Sequence, residues 1–237
     1  MIATAAPRPD QIDALTSGLV MPLPALGRPH LQIIASVLAQ AWSQLLLSHR
    51  AVLMSGAEAE VTALMATRLN ALLDADPVWA LLVRSITRGT ETMSFDGSSL
   101  EKRPDLSIHL TQRNPSFALV VECKLMDRPN GKGHDLYCSH GLNRFLIGEY
   151  AWAVREAFML AYVRDGATIT SVLTPFLTRC TARKPPTYSV RQHPAPVSGV
   201  PLDLATSAHG RSFRYLNRSP PANDPDDIAV WHLWLTI

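Results

Sequence analysis

The sequence predicts an α/β protein with a central mixed β-sheet flanked by helices. Three observations carry that prediction. Residues 105–124 alternate and then run apolar, as two strands of a hairpin do. Residues 30–49 and 55–72 repeat apolar side chains at helical spacing. Helical segments then follow the hairpin ahead of another β-like run, a βαβ-like order. The chain has 237 residues, enough for one large domain or a domain with an appendage. Its 47 % hydrophobic and 18 % charged content fits a globular chain with a sizeable core. A net charge of only +2 excludes a global basic field, but not a local basic groove.

Taken in order, residues 1–30 are punctuated by Pro7, Pro9, Pro22, Pro24 and Pro29 and read as an irregular arm. A short helix is expected at 10–19 with Asp10 as its cap. His30 to His49 reads as a helix on Leu31, Ile34, Val37, Leu38, Ala41, Leu45 and Leu46. With few charges it should be well buried or pack on a partner, and Trp42 is read as core. Ser55-Gly-Ala-Glu58 fits a capping box opening a second helix, with Val61, Leu64, Met65, Leu69 and Leu72 as its apolar stripe. Glu58 shares the inward face with Val61 and Met65, and Glu60 sits nearer the flank. Asp76-Pro77 breaks the chain. Residues 78–86 read as a short helix or turn and then a strand, residues 87–95 as a further strand, and Asp96-Gly97-Ser98-Ser99 as a turn.

In the hairpin, Leu106, Ile108 and Leu110 alternate, Gln112 to Pro115 turn the chain, and Phe117 to Val121 form a β-rich apolar run. This brings Asp105 near Glu122 and Lys124, whose side chains leave one face of a strand. Paired carboxylates are hard ligands suited to Mg²⁺ or Mn²⁺. Such an ion polarises a phosphoryl oxygen and lowers the pKa of bound water. A neighbouring lysine orients that water or stabilises charge on the phosphate. The alternative is two strands that end in a solvated ion pair. The three cysteines, Cys123, Cys138 and Cys180, are odd in number and form no C-x-x-C pair. A disulfide framework or zinc knuckle is therefore not expected, and a reducing cytoplasm is. No leader with a basic and then an apolar region stands at the start, and no membrane-spanning segment is expected.

Pro104-Asp105 followed by Glu122-Cys123-Lys124 resembles the PD-(D/E)xK signature of the restriction-endonuclease-like nuclease superfamily. The resemblance covers roughly residues 55–178. It implies a nuclease with Mg²⁺ (or Mn²⁺) as cofactor and a restriction-endonuclease-like core. Asp105 and Glu122 would hold the metal, with the backbone carbonyl of Cys123 as a further ligand and Lys124 positioning the attacking water. A helix ahead of the sheet often supplies one more acid, for which Glu58 is favoured over Glu60. The reading divides the chain into an arm and helix (1–54), a nuclease-like core (55–178) and a basic, Pro-rich extension with a closing strand (179–237), within a single domain.

The loop after Lys124 carries Arg128, Lys132 and His134 beside the expected site, as phosphate contacts or as solvated charges. Helices are expected at 139–147 and 149–161. Arg144 is a supporting candidate, or else a partner of Glu149 or Glu156. Tyr137 is a weaker supporting candidate. Residues 167–176 read as a strand. Residues 179–218 gather Arg179, Arg183, Lys184, Arg191, Arg211, Arg214 and Arg218 with Tyr188, Phe213 and Tyr215 among prolines, as an irregular basic segment. Basic residues interleaved with aromatics suit a nucleic-acid edge. Arg103, Arg128, Lys132, Arg183, Lys184, Arg211 and Arg214 are its candidate contacts. Residues 228–237 close the fold as a strand.

The expected function is a metal-dependent phosphodiesterase on nucleic acid, with DNA the favoured substrate and genome defence in prokaryotes an analogy. The expected partners are nucleic acid and either a second copy of the chain or a defence complex, with no membrane. The alternative is a non-catalytic binding or assembly subunit on the same fold.

Overall fold

The hairpin forms, and the sheet grows outward from it. A computed structural model describes residues 6–237. The strands are β1 (Val83–Arg88), β2 (Leu106–Leu110), β3 (Leu119–Met126), β4 (Glu156–Val163), β5 (Val190–Pro196), β6 (Asp203–His209) and β7 (Ile228–Thr236). They form one sheet in the order β1-β2-β3-β4-β7-β6-β5. β1, β2 and β3 are antiparallel, β3, β4 and β7 parallel, and β7, β6 and β5 antiparallel. A mixed sheet of this kind needs covering on both faces where its centre is parallel.

Helices α1 (Pro9–Thr16), α2 (Arg28–Ser48), α3 (Arg50–Ser55), α4 (Glu58–Ala75) and α5 (Pro77–Leu82) precede the sheet. α2 and α4 cover one face, packing Ile34, Leu38, Met65 and Leu69 on Leu106, Ile108, Val121 and Cys123. α2 is long and apolar enough to cross a membrane by length and composition, contrary to the sequence expectation. In the fold it is a core helix: Trp42 stacks on Tyr162 at 5.3 Å and bonds the Thr236 carbonyl. The other face carries α6 (His134–Tyr137), a π-helical turn (Cys138–Leu142), α7 (Asn143–Leu146) and α8 (Thr174–Thr181). The arm packs a third cluster, in which Ile12, Met21 and Leu23 meet Phe117, Trp152, Phe213 and Tyr215.

Four expectations are corrected. The helix at 149–161 is instead a loop running into β4, all eight residues of which are buried. A central parallel strand covered on both faces has no polar alternation, so small apolar residues there imitate helical spacing. The strand at 167–176 is instead a π-helical turn (Ile169–Leu173) leading into α8. Thr168 caps that turn by accepting from the Ser171 amide, and Pro175 falls in the first turn of α8, where a missing N–H costs nothing. The segment 179–218 is not irregular throughout, because it contributes β5 and β6. β5 lies at the sheet edge, where Pro194 and Pro196 are tolerated. The helix and strand read over 78–86 form as α5 and β1, but the further strand at 87–95 does not: beyond Arg88 only Thr92 bridges, to Lys102.

Candidate active site

β2 begins at Leu106, opposite Val121, while β3 runs on to Met126. The β3 amides of Cys123 and Leu125 on that edge therefore lack a strand partner. Two carboxylates take them. Asp105 Oδ2 accepts from the Cys123 amide at 2.7 Å, and Glu58 Oε2 accepts from the Leu125 amide at 2.7 Å. Glu58 is the first residue of α4, where the helix dipole favours a negative charge. The capping pair differs from the one read in the sequence. Ser55 ends α3, and the carboxylate that folds back onto the helix start is Glu60, accepting from the Ala57 amide at 2.7 Å. Glu60 is thereby spent on the cap, and Glu58 is the acid that reaches β3.

Glu122 and Lys124 share the face of β3 opposite α4. Glu122 is 1 % exposed, beneath the π-helical turn. A Cβ at Gly141 of that turn would stand 2.5 Å from Met159 Cε and 3.6 Å from Glu122 Cγ, so glycine lets the turn press onto the carboxylate. Lys124 Nζ lies 2.9 Å from Glu122 Oε1, 3.3 Å from Glu58 Oε1 and 3.6 Å from Asp105 Oδ2, and it donates to the Cys123 carbonyl at 2.7 Å. Arg144 Nη1 stands 3.4 Å from Glu122 Oε1, and its Nε 3.9 Å from Glu149. Arg144 also donates to the Tyr150 hydroxyl, which donates to the Arg103 carbonyl. The chain thus gathers three acids around one ammonium, with a guanidinium at the side.

Burial pushes the Glu122 carboxyl up to about 7, Asp105 adds to this, and Lys124 and Arg144 only partly oppose it. Burial also raises Asp105, against the pull of Lys124 and the Cys123 amide. For Lys124, burial favours the neutral amine, but Glu122, Asp105 and Glu58 together outweigh it and hold the ammonium above its ordinary value. Lys124 is therefore a charged donor at neutral pH. Among the described residues buried Glu122 Oε2 has no hydrogen-bond partner, a costly state for a carboxylate oxygen. Among the described residues no group of three acid, His or Cys side chains is spaced to share one ion, since the acids converge on Lys124. Mg²⁺ commonly takes only one or two carboxylates and keeps several waters. The oxygens this cluster could offer such an ion are those of Asp105 and Glu122 and the Cys123 carbonyl, which now accepts from Lys124.

The cluster opens on a polar cleft of ≈ 360 Å³ lined by Glu58, Thr62, Arg88, Arg103 and Asp105. Arg88 is exposed at the end of β1 and pairs in register with Leu106, next to Asp105. Sequence reading gave it no role, because only the β1–β2 register brings it beside Asp105. Tyr150, which holds Arg144, was also missed: it was read as part of a helix. Arg103 pairs with Glu91, Arg128 with Asp165 and Arg214 with Asp224. Lys132, Arg183 and Lys184 are exposed, and His134 packs edge-on against Phe176.

Two of the expected residues lie elsewhere. Arg211 is buried and donates to the carbonyls of Ala151, Trp152 and Val154, so it straps a loop and is closed to phosphates. Burial lowers it to about 10. Tyr137 is buried too, its hydroxyl 2.9 Å from His232 Nδ1. His232 Nε2 meets Ser207 Oγ at 2.8 Å, Ser207 Oγ meets His209 Nε2 at 2.7 Å, and His209 Nδ1 meets the Tyr188 carbonyl at 2.7 Å. The carbonyl end fixes every proton. His209 donates from Nδ1, Ser207 donates to His209, His232 donates to Ser207, and Tyr137 donates to His232. Burial accordingly pulls His209 down to about 4 and His232 to about 3.

Comparisons with known protein families, with curated proteins and with solved structures find no match.

Proposed function

We propose that the chain is a metal-dependent phosphodiesterase of the PD-(D/E)xK type that cleaves nucleic acid, DNA foremost. The observation that carries this reading is the meeting of Asp105, Glu122 and Lys124, with Glu122 Oε2 buried and unpartnered. The order of elements supports it: a helix bearing Glu58, a hairpin bearing Asp105 and Glu122-x-Lys124, and then a helical crossover. With all three ionised, as a bound cation would favour, the acids outnumber Lys124 and Arg144 by one charge.

Asp105, Glu122 and the Cys123 carbonyl would hold the ion, and Glu58 fixes the strand edge beside them. When bound, the ion would supply Lewis acidity at the phosphate and an acidified water. Lys124, kept protonated by its acids, orients the attacking water and stabilises charge on the scissile phosphate as a donor, not as a general base. Arg144 holds Glu122 and stands ready for a phosphate oxygen. Arg88 and Arg103 on the cleft rim meet the backbone on either side. The three buried free cysteines suit a cytoplasmic setting, where the partner beyond DNA is a second copy or a defence assembly.

The test is cleavage of plasmid and single-stranded DNA with Mg²⁺ or Mn²⁺, beside Lys124→Ala. Cleavage by the wild type that disappears in the variant and in EDTA is the expected result. Equal background in both sinks the reading and favours a non-catalytic assembly subunit.

A further inference from the structure

A second cavity lies on the sheet face that carries Glu122. Its floor is Ser107 and His109 of β2 with Val120 of β3 and Ala118 just before that strand, and its walls include Tyr150 and Trp152. Its volume is ≈ 340 Å³, within the roughly 300–1,000 Å³ range of small-ligand pockets. Val120 precedes Glu122 by two residues on the same face, a step of roughly 7 Å along a strand. That step is comparable with the reach from a base to its own phosphate. Tyr150 joins the two sites: its ring lines the cavity while its hydroxyl accepts from Arg144, which stands against Glu122.

The lining decides the chemistry of the occupant. Among the described residues no lysine or arginine lines the cavity, and its one acid, Glu91, is paired with Arg103. An anionic ligand has no counter-charge there. The remaining surface is aromatic and aliphatic, with hydroxyls and an imidazole. The Ser107 hydroxyl finds no partner among the described residues, and His109 commits only Nε2, to Thr87. A flat, uncharged ring with polar edges fits such a lining.

We propose that this cavity is a nucleobase subsite, which receives the base of the nucleotide whose phosphate lies at Asp105, Glu122 and Lys124. The assignment rests on the phosphodiesterase reading and adds what that reading lacks, a grip on the base itself. It makes the substrate a single strand or an unpaired end, because a base within a duplex cannot enter.

The test uses the full chain in EDTA, so that binding is read without cleavage. A fluorescent single-stranded DNA carries one abasic site, moved along its length from molecule to molecule, and affinity is read by anisotropy. One abasic position should weaken binding by about ten-fold, and the others should not. Ala118→Phe, which fills the cavity, should weaken the intact strand by a similar factor and lose the response to the abasic site. A wild type equally indifferent to every abasic position, or one that binds no strand, overturns the subsite. So does an Ala118→Phe chain that melts like the wild type and still senses the abasic position. Mg²⁺-dependent hydrolysis of bis(p-nitrophenyl) phosphate, a diester without a base, reports on the carboxylate site separately. If that activity persists while the abasic scan is flat, only the subsite falls; if it is missing, the phosphodiesterase reading falls on its own evidence.

Discussion

Two polar clusters are buried in the same sheet, one on β6 and β7 and the other along β3. Tyr137, His232, Ser207 and His209 form a chain in which every link joins a donor to an acceptor and each imidazole is neutral. Glu58, Asp105, Glu122, Lys124 and Arg144 carry three negative and two positive charges and leave a carboxylate oxygen without a partner. The first cluster is complete in itself and does for the fold what a satisfied polar core does. The second keeps a carboxylate oxygen buried without a protein partner among the described residues, the kind of cost proteins carry where stability is given up for function.

The comparison is tested most severely at Asp105. Asp105→Asn keeps the shape and the bond to the Cys123 amide but removes the charge. Hydrolysis of DNA with Mg²⁺ should fall about 10³-fold, with little change in the melting curve. If the rate survives, the β3 cluster is only a second structural network.

Glu122→Gln should move stability the other way. The folded pKa of Glu122 is raised to about 7 from 4.5. The folded state therefore holds that proton more tightly than the unfolded chain. The stability this brings is full below about pH 4.5 and is lost as pH rises through about 7. At pH 8 the ionised wild type bears a cost of about 3 kcal/mol that glutamine avoids. Urea denaturation should find the variant more stable at pH 8 and indistinguishable at pH 4, with activity lost at both. A variant less stable at pH 8 would show that the ion pairs with Lys124 and Arg144 outweigh burial.

Ser207→Ala strikes the complete chain. It strands His209 Nε2 and the His232 Nε2 proton and should cost about 1–3 kcal/mol, read by denaturation. The two lowered histidines give the opposite pH sign to Glu122. Their contribution is present above about pH 6.5 and is lost as pH falls through about 4 and 3. Acid unfolding should therefore begin at higher pH in the alanine variant, with hydrolysis at pH 8 unaffected.

The smallest effect is expected at the cleft rim. Arg88→Ala should weaken DNA binding uniformly across sequences and lower the slope of log affinity against log salt by about one. Arg211→Lys should leave that slope unchanged, since Arg211 faces carbonyls. An equal drop in both would mean that the loop strapped by Arg211 itself bears the DNA.

The hairpin was legible because its signals are local. Leu106 to Leu110 alternate, Asn114-Pro115 turns the chain, and the motif residues sit where the hairpin pairing stops, Asp105 just before β2 and Glu122 and Lys124 just past Val121. Glu58 was legible as an inward face position, although its helix start was read three residues early. Gly56 and Ala57 interrupt α3 and α4 there, and only backbone geometry reveals it. β4 was illegible because complete burial erases the period of two that marks a strand. Tyr137 and Arg211 were misplaced because the sequence shows a hydroxyl or a guanidinium and not its depth. Arg88 and Tyr150 become candidates only once register and loop path bring them to Asp105 and Arg144.

The early start of β3's free edge has one more implication. Asp105 and Glu58 sit where two further residues of β2 would hydrogen-bond to Cys123 and Leu125. Hairpin length is thus a gauge. Lengthen β2 by one pleat, and the ladder zips shut through the cluster, giving a tidier sheet with no room for an ion. A loop insertion anywhere between Asp96 and Glu101 leaves the gauge intact, whereas two residues inserted between Pro104 and Leu106 reset it. Variation in length along this chain should therefore be tolerated in the first stretch and silencing in the second.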